Sequence, residues 1–271
     1  MKKRLVFFWF IDKEREFNPI YSLHMKLLCR YADIFDEALF VMSLKVDDED
    51  HRKMARDMAS CLVGHGYRNS RFVFELNTDY REAKAFHEYV HPSVVEGKPE
   101  LIFFGHNKGT TNEITDSLIM WICSMYFFSL ERRGEVMKSL LSDRRCAYGF
   151  PVALCSDEFK DIYTHPVNGF YYSGTMYWIN AAIANMDSRV GISDLNHPFT
   201  DRFYAEEYVG NSFNDKKCST YHNLGFWDNR VDFYHNLDQF INDQIFDYVG
   251  DEATKNQFWD YYRAMKQEIG L

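Results

Sequence analysis

At 271 residues, with 46% hydrophobic and 26% charged residues, the chain has the composition of a globular protein with a substantial core. A formal net charge of −9 and a pI near 5.6 argue against a protein that grips nucleic acid, because such proteins present a basic face to the phosphates. Aromatic residues reach 17%; rings fill cores and also stack on sugars and bases, so a carbohydrate or nucleotide ligand is allowed but not required.

In chain order, Lys2-Lys3-Arg4 is a short basic run that allows at most a peripheral contact with anionic lipid. Residues 5–11 form a continuous apolar run, the mark of a strand buried on both faces. That run is too short for a secretory signal and passes directly into Asp12-Lys13-Glu14-Arg15. Asn18-Pro19 reads as an N-cap followed by proline in the first helical turn. Ile20, Leu23, Leu27, Tyr31 and Ile34 then recur at helical spacing. Residues 38–46 read as a second strand, ending in the acidic turn Asp47-Asp48-Glu49-Asp50. A helix follows to about Val63, stopped near Gly64 and Gly66. Residues 71–76 read as a third strand, 82–89 as a short helix and 100–105 as a fourth strand. This alternation predicts an α/β fold with a mostly parallel, twisted, Rossmann-like sheet flanked by helices.

Beyond Gly109 the pattern changes. Thr111-Asn112 reads as the cap of a long helix over 114–141, too short in its apolar part to span a bilayer. Residues 148–155 and 169–179 read as strands, 180–186 as helix, and 198–210 as a loop leading to a short helix. The chain from 239 onward reads as helix. The six cysteines, at 29, 61, 123, 146, 155 and 218, form no C-x-x-C pair and no zinc-like cluster with His. At least four lie in apolar surroundings, which suits buried, reduced thiols and a cytoplasmic location. No repeat or low-complexity linker divides the chain, so 1–271 reads as a single domain.

Open parallel sheets bind ligands beyond the carboxyl ends of their strands. The positions to inspect are therefore Asp12-Lys13, the Asp47–Asp50 turn and His106-Asn107-Lys108-Gly109. A cation and an imidazole beyond the fourth strand can hold an anionic group such as a diphosphate, while Gly109 allows close backbone approach; a solvated strand-to-helix turn is the equal alternative. Acids at Asp47–Asp50 can bind a hard cation or a nucleotide, but acids also favour a helix start, and Asp47, nearest the strand end, is the residue to hold. Ser173-Gly174, set in an aromatic strand, suggests close approach of a ligand or of backbone. Its flanks, Tyr171 and Thr175, rule out a G-x-S-x-G elbow. Glu206 in Arg202-Phe203-Tyr204-Ala205-Glu206-Glu207-Tyr208 can serve as a general base, and His222 stands alone on a polar segment. Zincin, P-loop and dinucleotide fingerprints are absent from the sequence.

Four of these segments, in this order, resemble a group of bacterial polysaccharide glycosyltransferases with the GT-A type of fold. They are the H-x-K-G sequence at 106–109; Trp121 with Met125-Tyr126; Tyr172-Ser173-Gly174-Thr175-Met176-Tyr177-Trp178; and the R-F-Y-A-E-E-Y element at 202–208. The resemblance implies transfer of a sugar from a nucleotide-diphosphate donor to a hydroxyl of a glycan or lipid-linked acceptor in capsule or other surface-polysaccharide synthesis. It also implies a nucleotide-binding half over about 1–110 and an acceptor half over about 111–271. Glu206 would act as general base, and Lys108 and His106 would stabilise the leaving diphosphate. Asp47, Asn107 and Gly109 would seat the nucleotide, Ser173, Gly174 and Trp178 would line the sugar pocket, and His222 would be a substrate contact. His106-Asn107-Lys108 stand where such enzymes commonly carry Asp-x-Asp, so no metal ligand is assigned; manganese or magnesium is the cofactor the resemblance would allow. The alternatives are a non-catalytic carbohydrate- or nucleotide-binding protein of the same fold, and a metal-dependent phosphoryl-transfer or hydrolytic enzyme built on Asp47–Asp50.

Overall fold

The structure is a computed structural model that describes residues 1–107, 109–110, 112–150, 152–154, 170–172, 175–187, 205, 208–209, 218–220 and 252–270. The apolar run at the start becomes strand β1 (Lys2–Ile11), with side chains from Leu5 to Trp9 buried on both faces. Helix α1 (Pro19–Arg30) starts as expected: Asn18 Oδ1 accepts from Ile20 N at 2.9 Å, and proline occupies the first turn. Strand β2 (Glu37–Leu44), helix α2 (Glu49–Gly64), strand β3 (Ser70–Leu76), helices α3 (Arg81–Tyr89) and α4 (His91–Val95), and strand β4 (Glu100–His106) complete the alternating half.

The later elements depart further from expectation. Helix α5 (Asp116–Tyr126) is capped by Thr115, whose hydroxyl accepts from Leu118 N at 3.1 Å, and not by Thr111-Asn112. The expected single helix is broken by two π-helical turns, Phe127–Glu131 and Lys138–Ser142, on either side of α6 (Arg133–Met137). Their widened bonds, Arg132 N to Phe127 O and Asp143 N to Lys138 O at 3.0 Å each, admit an extra residue per turn. Phe127 and Phe128 are thereby both buried, against Phe258 and Phe150. The expected strand 148–155 is two strands, β5 (Ala147–Gly149) and β6 (Val152–Leu154), which pair in different sheets. Likewise the aromatic run is β7 (Phe170–Tyr172) and β8 (Tyr177–Asn180), which belong to different sheets. Helix α7 (Ala181–Asp187), strand β9 (Cys218–Thr220) and helix α8 (Glu252–Ile269) follow; the part of the expected last helix at 239–251 lies outside the described residues.

Among the described residues the main sheet has seven strands in the order β3-β2-β1-β4-β8-β5-β9, and β6 pairs with β7 in a small antiparallel sheet. All pairings in the main sheet are parallel except those of β8, which runs against both β4 and β5. The expected mostly parallel α/β sheet flanked by helices is thus present. One face packs under α1, α2, α5 and α8 through Leu5, Phe7, Trp9, Phe40, Phe103 and Trp178. The other packs under α3, α4 and α7 through Val6, Phe8, Phe104 and Tyr177. The basic run at the start is drawn into this frame: Lys2 pairs with Glu37 at 2.6 Å, and Arg4 with Glu100 at 3.3 Å while donating to Tyr89 O. No helix among the described residues is long and apolar enough to cross a membrane.

Candidate functional site

The chain leaves β1 toward β2 on one side and returns as β4 on the other, so the sheet's topological switch point lies between the carboxyl ends of β1 and β4. Two turns flank it. The first is nucleated by Asp12, a carboxylate only 3% exposed, which caps a 3₁₀ turn over Lys13–Arg15 by accepting from Glu14 N. Lys45 Nζ reaches Asp12 at 3.2 Å and Glu14 at 2.5 Å, and Arg15 Nε lies 3.6 Å from Asp12. Hydrogen bonds to Glu14 and Asp12 hold the Lys45 ammonium above its ordinary pKa. Tyr21 Oη donates to Phe10 O at 2.6 Å and accepts from Asp12 N at 3.1 Å; burial pushes its phenol up to about 12, so it remains a neutral donor.

The second turn follows β4 and is stitched to the first. Arg15 and Asn18 both donate to Thr110 O, at 3.1 and 3.2 Å. Asn107 is a clamp here and not a free ligand contact. Its Oδ1 accepts from Phe10 N at 2.8 Å and its Nδ2 donates to Phe10 O at 2.9 Å, so the amide continues the ladder past the end of β4. Gly109 has φ +86, and a Cβ there would stand 2.7 Å from Leu118 Cδ1. Its missing side chain is needed for backbone conformation and for Leu118, so the space expected for a ligand is already filled. Gly109→Ala is therefore expected to cost about 2 kcal/mol in chemical denaturation; an unchanged midpoint would contradict this account.

His106 lies at the same strand end, 6% exposed, with Nδ1 3.3 Å from Glu82 Oε1 in the first turn of α3. Trp178, expected in a sugar pocket, is fully buried: its indole N–H donates to Ser129 O at 2.9 Å, and its ring stacks on Phe35. Trp121, Met125 and Tyr126 are likewise core residues. Lys108, Ser173, Gly174, Glu206 and His222 lie outside the described residues.

The acidic turn divides into separate local jobs. Asp48 caps α2 by accepting from His51 N at 2.9 Å, and that bond with the His51 side chain holds its carboxyl below the ordinary range. Asp47 bonds Arg52 Nε at 2.6 Å, and Glu49 pairs with Arg56. Asp47 sits with Leu44, Arg52, Arg56, Phe74 and Leu76 around an open groove of about 260 Å³ at the end of β2 and β3. Because β1 separates β2 from β4, this groove is roughly 10 Å from the His106 strand end. The acids are thus spent on neighbouring cations and a helix start, which does not suit a hard-cation cage. At the β4 end, an amide already bonded to backbone and an imidazole facing a carboxylate do not fit manganese or magnesium either.

Among the described residues one group of donors does converge: the ligand atoms of Cys29, Cys61 and His65 lie within 4.8 Å of one another. Packing of α1 on α2 brings Cys29 to Cys61 and His65, which lie four residues apart at the end of α2. Burial, with the neighbouring Cys61, pushes the Cys29 thiol up to about 12, which makes it a poor thiolate at neutral pH. Cys61 is exposed, Cys29 is partly buried, and Cys123 and Cys146 are buried.

The residues that sequence reasoning left out of the site are Lys45, Arg15, Glu82 and Thr175, which meet it only through tertiary packing. Asp12 was marked for inspection by its place directly after an apolar strand. No protein-family model matches this chain, and no curated protein matches it.

Proposed function

We propose that the chain is a glycosyltransferase with a GT-A type of fold, moving a sugar from a nucleotide-diphosphate donor to a hydroxyl of a glycan or lipid-linked acceptor. The observation that carries this reading is the pair of polar strand ends at the β1–β4 switch point, the place where open α/β sheets take their ligands and where the H-x-K-G segment begins. A parallel half joined through β4 to a mixed half suits a donor site on the first and an acceptor site on the second. In this reading Lys108 and His106 stabilise the departing diphosphate, and Glu206 takes the proton from the acceptor hydroxyl in an inverting reaction. Asp47 and its groove seat the nucleoside end, with Ser173, Gly174 and His222 toward the sugars.

A thermal-shift screen against UDP, GDP, CDP and their sugar conjugates, each with and without manganese, tests it. A ligand at about 100 times its Kd stabilises by about 2.7 kcal/mol, a shift on the order of 5 °C for a chain of this size. The strand-end residues lack a hard-cation set, so the shift is expected to survive EDTA. No shift with any nucleotide or sugar conjugate would remove the proposal, and binding without release of nucleoside diphosphate would turn it into a non-catalytic binding protein.

A further inference from the structure

Two buried polar atoms at the carboxyl end of β4 have no hydrogen-bond partner among the described residues: His106 Nε2 and Thr175 Oγ1. Buried polar groups are nearly always satisfied, so two at one place call for an explanation. They are at one place by register. β4 and β8 pair Phe104 with Tyr177, and continuing that antiparallel ladder by two residues sets His106 opposite Thr175. The side chain of Met176 beside Gly105 fits the intervening step.

Thr175 is fully buried and adopts φ +56, a left-handed conformation that a β-branched residue takes only under constraint. The chain thus holds a hydroxyl in a strained turn, at the carboxyl end of β4, with no hydrogen-bond partner among the described residues. On the other side of His106, Glu82 Oε1 lies 3.3 Å from Nδ1. A carboxylate only accepts, so this contact places the Nδ1 proton on the Glu82 side and turns Nε2 away from it. Toward an anion a neutral ring would present a lone pair, whereas a protonated ring presents a second N–H.

We infer that His106 Nε2 and Thr175 Oγ1 form a two-donor receptor for an oxygen of the donor's diphosphate, with Glu82 as the residue that positions the imidazole. This rests on the reading of the strand end as a nucleotide-sugar site, and it assigns that site two residues beyond the H-x-K-G segment. Thr175 has a contact function in addition to its place in the turn, and Glu82 acts through His106 without touching ligand.

The test uses the full chain labelled with ¹⁵N-histidine and titrated separately with inorganic pyrophosphate and with UDP, GDP and CDP. Pyrophosphate, and whichever nucleoside diphosphate binds, should move the His106 Nε2 resonance. Thr175→Val should weaken binding about tenfold, the usual worth of a bond to a charged group, while Thr175→Ser, which keeps the hydroxyl, restores it. Glu82→Gln should alter the His106 tautomer signature and weaken binding, with Glu82→Asp recovering both; His106→Gln serves if His106→Ala does not fold. If a nucleoside diphosphate binds Thr175→Val and Thr175→Ser as tightly as the parent, the receptor is wrong and the nucleotide-sugar reading stands. If no nucleotide binds, yet pyrophosphate moves His106 and discriminates the Thr175 pair, the receptor stands and the nucleotide-sugar reading falls. Silence toward all four probes overturns both.

Discussion

Trp178→Ala is expected to lower the free energy of unfolding by about 3–5 kcal/mol, as large-to-small changes of a buried tryptophan do. The ring has no exposed surface, lies 5.6 Å from Phe35 and 5.2 Å from Phe103, and closes the core where β8 meets β4. Its indole N–H also satisfies Ser129 O inside a π-helical turn, so truncation leaves both a cavity and an unpaired carbonyl. Typical domains have about 5–15 kcal/mol in total, so the loss is a large fraction. Urea denaturation reads it as a lower midpoint at unchanged m-value. The family resemblance had implied a residue lining a sugar pocket; a variant with near-normal stability but lost ligand binding would restore that view against the packing one.

The second large effect belongs to the chemistry. Under the proposed function, Lys108→Ala and Glu206→Gln are each expected to reduce sugar transfer by roughly 10²–10³-fold, the range observed when a charge-stabilising donor or a general base is removed. The two should differ in form. Loss of a base leaves donor binding intact and lowers kcat, whereas loss of a cation beside the diphosphate lowers kcat/KM and also weakens nucleoside diphosphate as a product inhibitor. Circular dichroism and melting temperature should stay near the parent values. Near-normal turnover in both variants would remove these roles while leaving the fold untouched.

The alternating half of the fold was legible because its signals are local. The run from Leu5 to Ile11 is apolar on both faces, as a central parallel strand must be, and Asn18-Pro19 carries its own capping chemistry. Asp48 shows the same locality: an acid at a helix start, explained by the bond it accepts from His51 N. The second half was read less well because its boundaries depend on what lies across the core. Nothing in the run from Phe127 to Ser142 announces a π-helical turn; the widening lets two adjacent phenylalanines reach Phe258 and Phe150, which are distant in sequence.

The candidate site divides along the same line. The sequence by itself determined where to look, because a polar segment after a buried strand must emerge at one end of a parallel sheet, and it named Asp12, Asp47 and His106 by that position. Only the tertiary structure decided which of these lie side by side. Strand order puts β1 beside β4 and sets β2 one strand further away, so His106 neighbours the Asp12 turn while Asp47 faces a separate groove. It also decided what each side chain is free to do. Asn107 is consumed by the backbone of Phe10, Gly109 by its left-handed turn and Leu118, and Trp178 by the core. Hydrogen-bond capacity is finite, and whether a polar group is already spent depends on partners that strand pairing supplies from elsewhere in the chain. That is why the residue types could be read from the sequence, and their availability only from the fold.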